Sequence, residues 1–490
     1  MRLALLLLLA LALPAAAQDL PATSFGQRLP PAVARALKAA AIPEHAVAVV
    51  VQEAGGAFTR VSVNAGQAMN PASVMKLVTT FAALDLLGPA YTWKTEALAA
   101  APLSDGVLAG DLILRGSGDP SLTFEQFWLL LRQLRARGLR EIRGDLVLDR
   151  SAFAAVTHDE AAFDGKPQRP YNVGPDALLL NFKAVRLTLV PATDRVLALP
   201  EPAPANLDIV NLVKLNGGGC GDWKEGLRAD LSRHDGNFRL TLTGGYPAAC
   251  GEQRWNLGLL PHAEYVLGVF RQLWTELGGS IKGTVRDGAT PDGARLLASI
   301  DSPPLAEVVR DINKFSNNVM ARQLFLTLGQ KVMRSGIPWD GGSDTASGRN
   351  GGATTAQADA AIRAWLDAKA LRFPELVLDN GSGLSRRERI SADSTARLLQ
   401  AAWKSAVMPE LMSSLPLLAV DGTMKRRQGG AAGQAHIKTG SLEGVKTLAG
   451  YVLDRSGRRQ IVVFFVNHAN AAAAQPPQDA LLQWVYERTY

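Results

Sequence analysis

The chain has 490 residues, 47% of them apolar and 20% charged, enough to build two or three packed domains and too apolar for a disordered protein. Its formal charge of +7 and pI near 9.4 come from Lys and Arg interspersed with acids, so no nucleic-acid-binding tract is implied. The six His are scattered singly and neither Cys has a metal-ligand neighbour, which argues against a zinc site.

Met1-Arg2, the apolar run Leu3 to Leu13 and the small residues Pro14 to Ala17 read as a secretory leader cut after Ala17, so residues 1–17 are expected to be removed. A retained N-terminal anchor is the alternative. No later apolar run reaches spanning length, and the mature chain is expected to be soluble, without a transmembrane anchor, in the periplasm. Export exposes Cys220 and Cys250 to an oxidising compartment. They are expected to form one disulfide worth about 3 kcal/mol, against the alternative of two buried free thiols.

Along the mature chain, a helix is predicted near Pro31 to Ala40. A hairpin follows, from Ala46–Val51 through Gly55-Gly56 into Phe58–Val63. Asn70-Pro71 signals the start of a buried helix through Val74, Leu77, Val78, Phe81 and Leu84, stopped by Gly88-Pro89. From about Thr95 to Ser299 the texture is β-rich, with helices only near Thr123–Arg137 and His262–Leu277. Helical spacing returns from Pro304. Strands at Gln434–Lys438, Thr447–Leu453 and Gln460–Val466 and a helix from Asp479 to Arg488 close the chain, while the Gly341-Gly342 region and Ala471–Ala474 read as loops. This order suggests one α/β domain split by a large β-rich insertion.

Three short motifs carry chemistry. Ser73-Val74-Met75-Lys76 puts a hydroxyl and an amine three apart on one helical face, and a lysine whose pKa is lowered by burial and a neighbouring cation can take the serine's proton. One such spacing is expected by chance in a chain this long. Ser316-Asn317-Asn318 offers a hydroxyl to relay a proton and an amide to hold a substrate carbonyl; Ser62-Val63-Asn64 has the same spacing, and Ser316 taken alone reads more readily as a helix cap than as a catalyst. Lys438-Thr439-Gly440-Ser441 presents a cation and a hydroxyl suited to a carboxylate, with Gly440 admitting a ligand backbone; alone, it reads as a strand-end turn. The backbone N–H groups of Ser73 and Ser441 are candidates for an oxyanion hole worth roughly 3 to 4 kcal/mol in the transition state.

The order SxxK, SxN, KTG matches the signature of penicillin-binding proteins and serine β-lactamases. The 243 positions from Ser73 to Ser316 far exceed the spacing in class A β-lactamases and require an insertion between the first two motifs. With Arg115 to Leu122, Gly144 to Asp149, Tyr171-Asn172 to Asn181, Asp379 to Arg386, Asp421-Gly422-Thr423 and Lys438 to Gly444, the chain resembles the low-molecular-mass class C penicillin-binding proteins, D-alanyl-D-alanine carboxypeptidases/endopeptidases, over nearly its whole mature length.

That resemblance implies a transpeptidase/β-lactamase-like domain split by two smaller ones. The expected division is 18–96 with 296–490 as the catalytic domain, 97–170 with 251–295 as a second domain, and 171–250 as a third. It implies Ser73 as nucleophile, Lys76 as general base, Ser316 as proton relay, Asn318 as ligand of the substrate amide, and Lys438 and Thr439 as carboxylate ligands, with no cofactor or metal. Arg386 and Glu443 are candidates to read the diamino acid of a peptidoglycan stem peptide. Asp164 is carried over as a third contact, although Phe163-Asp164-Gly165-Lys166 lacks the tryptophans often found there. β-Lactams are the expected covalent inhibitors. A β-lactamase would need a deacylating segment such as Glu-x-x-Leu-Asn, which is missing here. A non-catalytic penicillin sensor or a cell-wall adaptor with a dead site are the remaining alternatives.

Overall fold

The computed structural model describes residues 26, 28–56, 59–155, 158–335 and 351–488. The expected leader and the Gly341-Gly342 region lie outside them. The two ends of the described chain share one five-stranded antiparallel sheet, in the order Ala435–Leu442, Val445–Leu453, Arg459–Asn467, Val47–Glu53, Thr59–Val63. Both faces of this sheet are covered, which is why its strands read as unbroken apolar runs. Val47, Val49 and Val51 pack with Val33 and Leu37 of helix Pro31–Ala39 and with Leu481 and Val485 of helix Gln475–Glu487. Ala48 and Val50 face the other way, toward Leu77, Val78 and Phe81.

Those three belong to helix Lys76–Leu87, which is buried at every position from Lys76 to Leu84 and is the axis of the larger core. Gly88, at φ +84°, ends it as expected. Helices Leu305–Phe315, Asn318–Ser335, Thr355–Ala368 and Ala392–Trp403 contribute to the same core. The last helix begins at Gln475, one turn earlier than expected, and Ala469–Ala474 is a 3-10 helix rather than a loop.

The insertion leaves and returns through adjacent strands. Lys94–Ala99 and Arg295–Asp301 pair antiparallel in a second five-stranded sheet, ordered Val285–Asp287, Leu146–Asp149, Leu112–Gly116, Lys94–Ala99, Arg295–Asp301. The expected borders at 97 and 295 therefore fall inside two paired strands. Helices Phe124–Ala136 and His262–Glu276 supply Leu130, Leu134, Phe270 and Leu273 to the insertion core. Farther out, Val196–Glu201, Ala184–Pro191 and Gln253–Gly258 form a three-stranded sheet, so hydrogen bonding crosses the expected border at 250. Cys220 and Cys250 are disulfide-bonded there, Cα atoms 4.7 Å apart.

The insertion lies against helix Asn318–Ser335 at Ala152, Val173 and Asp176. Gln323 accepts from the Asp176 N–H at 2.8 Å and donates to the Asp176 carbonyl at 2.7 Å. Arg322 donates to the Val173 carbonyl at 3.0 Å, and Gln330 to that of Ala152 at 3.0 Å. The insertion thus braces the helix that begins at Asn318.

Candidate active site

Ser73 lies in a 3-10 turn, Ala72–Met75, and the α-helix begins only at Lys76, a correction to the expected single α-helix. In a 3-10 turn positions i and i+3 eclipse, which brings Lys76 Nζ to 3.0 Å from Ser73 Oγ. Ala72 holds φ +45°, a left-handed conformation unfavourable for a residue with a Cβ. The surrounding polar contacts stabilise it. Asn70 Oδ1 accepts from the Ala72 N–H at 2.9 Å, Asn70 exchanges two backbone hydrogen bonds with the Asn467 side chain at 2.8 and 3.0 Å, and Thr447 Oγ1 donates to the Pro71 carbonyl at 2.6 Å. The nucleophile turn is thereby tied to two strands of the sheet.

The fully buried Lys76 has two further acceptors, Asn318 Oδ1 at 2.6 Å and the Ser382 carbonyl at 2.5 Å. Ser316 combines a capping backbone with a side chain turned to Lys438. Its backbone is left-handed (φ +56°) and closes helix Leu305–Phe315 at its C-terminus, while its Oγ accepts from Lys438 Nζ at 2.9 Å. Ser62 is excluded as its rival: it pairs with Val50 in a strand at the far edge of the sheet, and Asn64 donates to the carbonyls of Glu44 and Val47.

Strand Ala435–Leu442 continues four residues past Lys438, so the KTG motif lies within the sheet's edge strand rather than at its end. Lys438 is fully buried and also donates to the Thr439 carbonyl at 2.8 Å. Thr439 Oγ1 lies 2.7 Å from Thr423 Oγ1, which places a second hydroxyl beside that of the KTG motif. A Cβ on Gly440 would lie 2.3 Å from Thr447 Oγ1, 2.8 Å from the Pro71 oxygen and 2.9 Å from the Ser73 nitrogen, so a side chain here would disturb the nucleophile turn and the Ser73 N–H with it. Ser441 follows in the same strand, its side chain exposed.

Burial lowers the pKa of Lys76 well below the ordinary lysine value, with Lys438 and Arg322 adding to the effect and Glu388 opposing it. Burial brings Lys438 down to about 7. The depression favours the neutral amine, whose lone pair could then serve the adjacent serine.

The rim differs. Arg386 donates to the Glu443 carbonyl at 2.9 Å and reaches its carboxylate at 3.3 Å, so these two candidates do meet. Asp164 does not join them. Its oxygens accept from Tyr171 Oη and Asn172 Nδ2, both at 2.7 Å, and these bonds outweigh burial and hold its pKa below the usual carboxylate range. The neighbouring Phe163 ring, 5.1 Å from the Arg386 guanidinium, takes the contact instead. A cavity of about 330 Å³ opens there, lined by Phe163, Asn172, Arg322, Asp379, Arg386 and Arg387.

Sequence reasoning assigned no role to Thr423, Ser382, Asn70, Asn467 or Thr447. Thr423 and Ser382 lie in segments that carried the resemblance, and Asn70 was visible only as a helix-start signal.

Residues 29–488 match the family described as "D-Ala-D-Ala carboxypeptidase 3 (S13) family". The chain is 25% identical over 416 residues to the D-alanyl-D-alanine carboxypeptidase DacB of Haemophilus influenzae, covering 82% of this chain and 81% of that one. It is 28% identical over 441 residues to the D-alanyl-D-alanine carboxypeptidase of Actinomadura sp. (strain R39), covering 85% and 76%. Among solved structures, penicillin binding protein 4 (dacB) from Haemophilus influenzae superposes with a TM-score of 0.74 at 24% identity, over 93% of this chain and 99% of that one. That protein has also been solved in complex with a β-lactam, with a TM-score of 0.71, 24% identity and the same coverage. The chain belongs to the D-Ala-D-Ala carboxypeptidase 3 (S13) family of serine-type hydrolases.

Proposed function

We propose that this chain is a periplasmic D-Ala-D-Ala carboxypeptidase/endopeptidase that cuts peptidoglycan stem peptides and cross-links through an acyl-enzyme on Ser73. The observation that carries this reading is the contact between the buried Lys76 Nζ and Ser73 Oγ. Loss of one proton leaves the two remaining N–H bonds of Lys76 on Asn318 and Ser382 and turns the position that donates to Ser73 Oγ into a lone pair facing the hydroxyl.

The substrate's terminal carboxylate is held by Lys438 and the hydroxyls of Thr439 and Thr423, and Asn318 takes the amide of the penultimate residue. Ser73 Oγ bonds to the carbonyl carbon as its proton passes to Lys76, and the N–H groups of Ser73 and Ser441 hold the oxyanion. The C–N bond breaks with the proton returned through Ser316 to the departing D-Ala amine, and water then cleaves the ester. A β-lactam presents an amide and a carboxylate in the same arrangement, so it acylates Ser73; the β-lactam complex of the Haemophilus influenzae relative supports this. The insertion, from Lys94 to Asp301, shapes access to the groove and supplies no reacting group. Arg386 and Glu443 contact the diamino acid, and Asp164 holds the adjoining segment in shape.

Incubation of the mature protein with purified muropeptides tests the reading. Release of free D-Ala from pentapeptides and opening of cross-linked dimers are expected. Intact muropeptides beside a hydrolysed β-lactam would replace it with a β-lactamase.

A further inference from the structure

The mechanism leaves one fully buried carboxylate unused. Glu388 lies beneath the segment Asp379–Ser382, and its Oε1 accepts from three consecutive backbone N–H groups: Asp379 at 3.2 Å, Asn380 at 3.0 Å and Gly381 at 2.9 Å. Three amides converging on one oxygen form an anion-holding nest. Gly381, at φ +68°, turns the chain immediately afterwards.

The next two carbonyls face the nucleophile helix. Gly381 O accepts from Thr79 Oγ1 at 2.6 Å, and Ser382 O accepts from Lys76 Nζ at 2.5 Å. Gly383 follows so closely that a Cβ there would lie 1.9 Å from the Ala72 oxygen. The carbonyl that orients Lys76 is thus set by a turn folded around Glu388.

Glu388 Oε2 has no hydrogen-bond partner among the described residues. Burial raises the Glu388 pKa and the three amide donors oppose it; the charged groups acting on Glu388 are Asp379 from its own loop, Arg322 from helix Asn318–Ser335, and Lys76. Those acting on Lys76 are Lys438 from strand Ala435–Leu442, Arg322, and Glu388, the last alone favouring the protonated form.

We propose that Glu388 is a positioning residue for Lys76: its carboxyl group folds the turn that aims the Ser382 carbonyl at Nζ and adds an acidic group to the amine's surroundings. The proposal rests on Lys76 acting as the base. The two contributions separate by substitution. Glu388→Gln keeps an acceptor oxygen and removes the charge, whereas Glu388→Asp keeps the charge and shortens the reach.

The experiment is the second-order rate of acylation by a chromogenic cephalosporin from pH 5 to 9, with a thermal melt of each variant. Removing the negative charge favours the neutral amine, so E388Q is expected to move the acid limb down by about half a pH unit or more, with the plateau rate within roughly threefold of wild type. E388D should leave the limb in place and lose on the order of 10-fold in plateau rate as the carbonyl drifts off Nζ. A folded E388Q whose profile superimposes on wild type overturns the proposal. If E388Q does not fold, E388D decides: a wild-type plateau rate overturns it. Failure of the underlying reading looks different, since Ser73 would then go unlabelled in the wild type, or Lys76→Arg would acylate normally.

Discussion

At the floor of the site Lys76 and Lys438 are wholly buried, and their nitrogens are met by acceptors at 2.5 to 3.0 Å. At the rim Arg386 and Glu443 meet as side chains 48% and 91% exposed. The same type of pairing does different work in the two places. A buried amine without partners would lose its shape and shift its titration, so each floor contact bears on rate. An exposed ion pair contributes roughly 0–1 kcal/mol and exchanges readily with a ligand's own charges, so the rim bears on binding.

Substitutions can break this contrast. The largest effect is expected from Ser73→Ala, which should lower D-Ala release by roughly 10⁴-fold or more while the fold persists, because Oγ is the only atom lost. Lys76→Arg should cost about 10³-fold, since a guanidinium stays protonated and cannot take the serine's proton. The wild-type acylation rate should rise with pH as Lys76 loses its proton, and because its pKa is depressed, that limb should lie well below the ordinary lysine value of 10.5. A limb near the ordinary value would show that Lys76 is solvated and the floor misdescribed.

Gly440→Ala sharpens the floor's geometry. The added methyl displaces the Ser73 N–H, and a loss of about 10² to 10³ in kcat is expected, the scale of an oxyanion donor. Ser316→Ala should slow acylation and deacylation alike by about 10²-fold and leave binding of stem peptide intact. The smallest effects belong to the rim. Arg386→Ala and Asp164→Ala should leave acylation by a small penicillin within about threefold, and Arg386→Ala should raise KM for stem peptides several-fold with kcat held and a stability change of about 1 kcal/mol or less. Loss of penicillin acylation in Asp164→Ala would erase the division between floor and rim.

The same contrast explains what was legible in the sequence. The floor was readable because its chemistry demands particular residue types at particular spacings, and Ser73, Lys76, Ser316, Asn318, Lys438 and Thr439 converge as the three motifs imply. Helices Phe124–Ala136 and His262–Glu276 lie within one residue of their expected limits, since Thr123 caps the first and Pro261 and Gly278 bracket the second.

Backbone details were not readable in this way. Whether Ala72–Met75 winds as 3-10 or α depends on the Asn70, Asn467 and Thr447 contacts, which join residues nearly 400 positions apart. The strands at the two ends of the insertion were not readable to the residue, because Lys94–Ala99 and Arg295–Asp301 become strands by pairing with each other, a long-range event that periodicity does not record. Asp164 illustrates the rim's difficulty: a charge near the site is not marked as ligand or scaffold until its partners, Tyr171 and Asn172, are in place.

The central claim, that Ser73 is the nucleophile activated by Lys76, is tested most directly by mass-spectrometric peptide mapping after incubation with penicillin. The account predicts a single penicilloyl adduct on the peptide containing Ser73, absent from Ser73→Ala. An adduct on Ser316, Ser382 or Ser441 with Ser73 unmodified would contradict it.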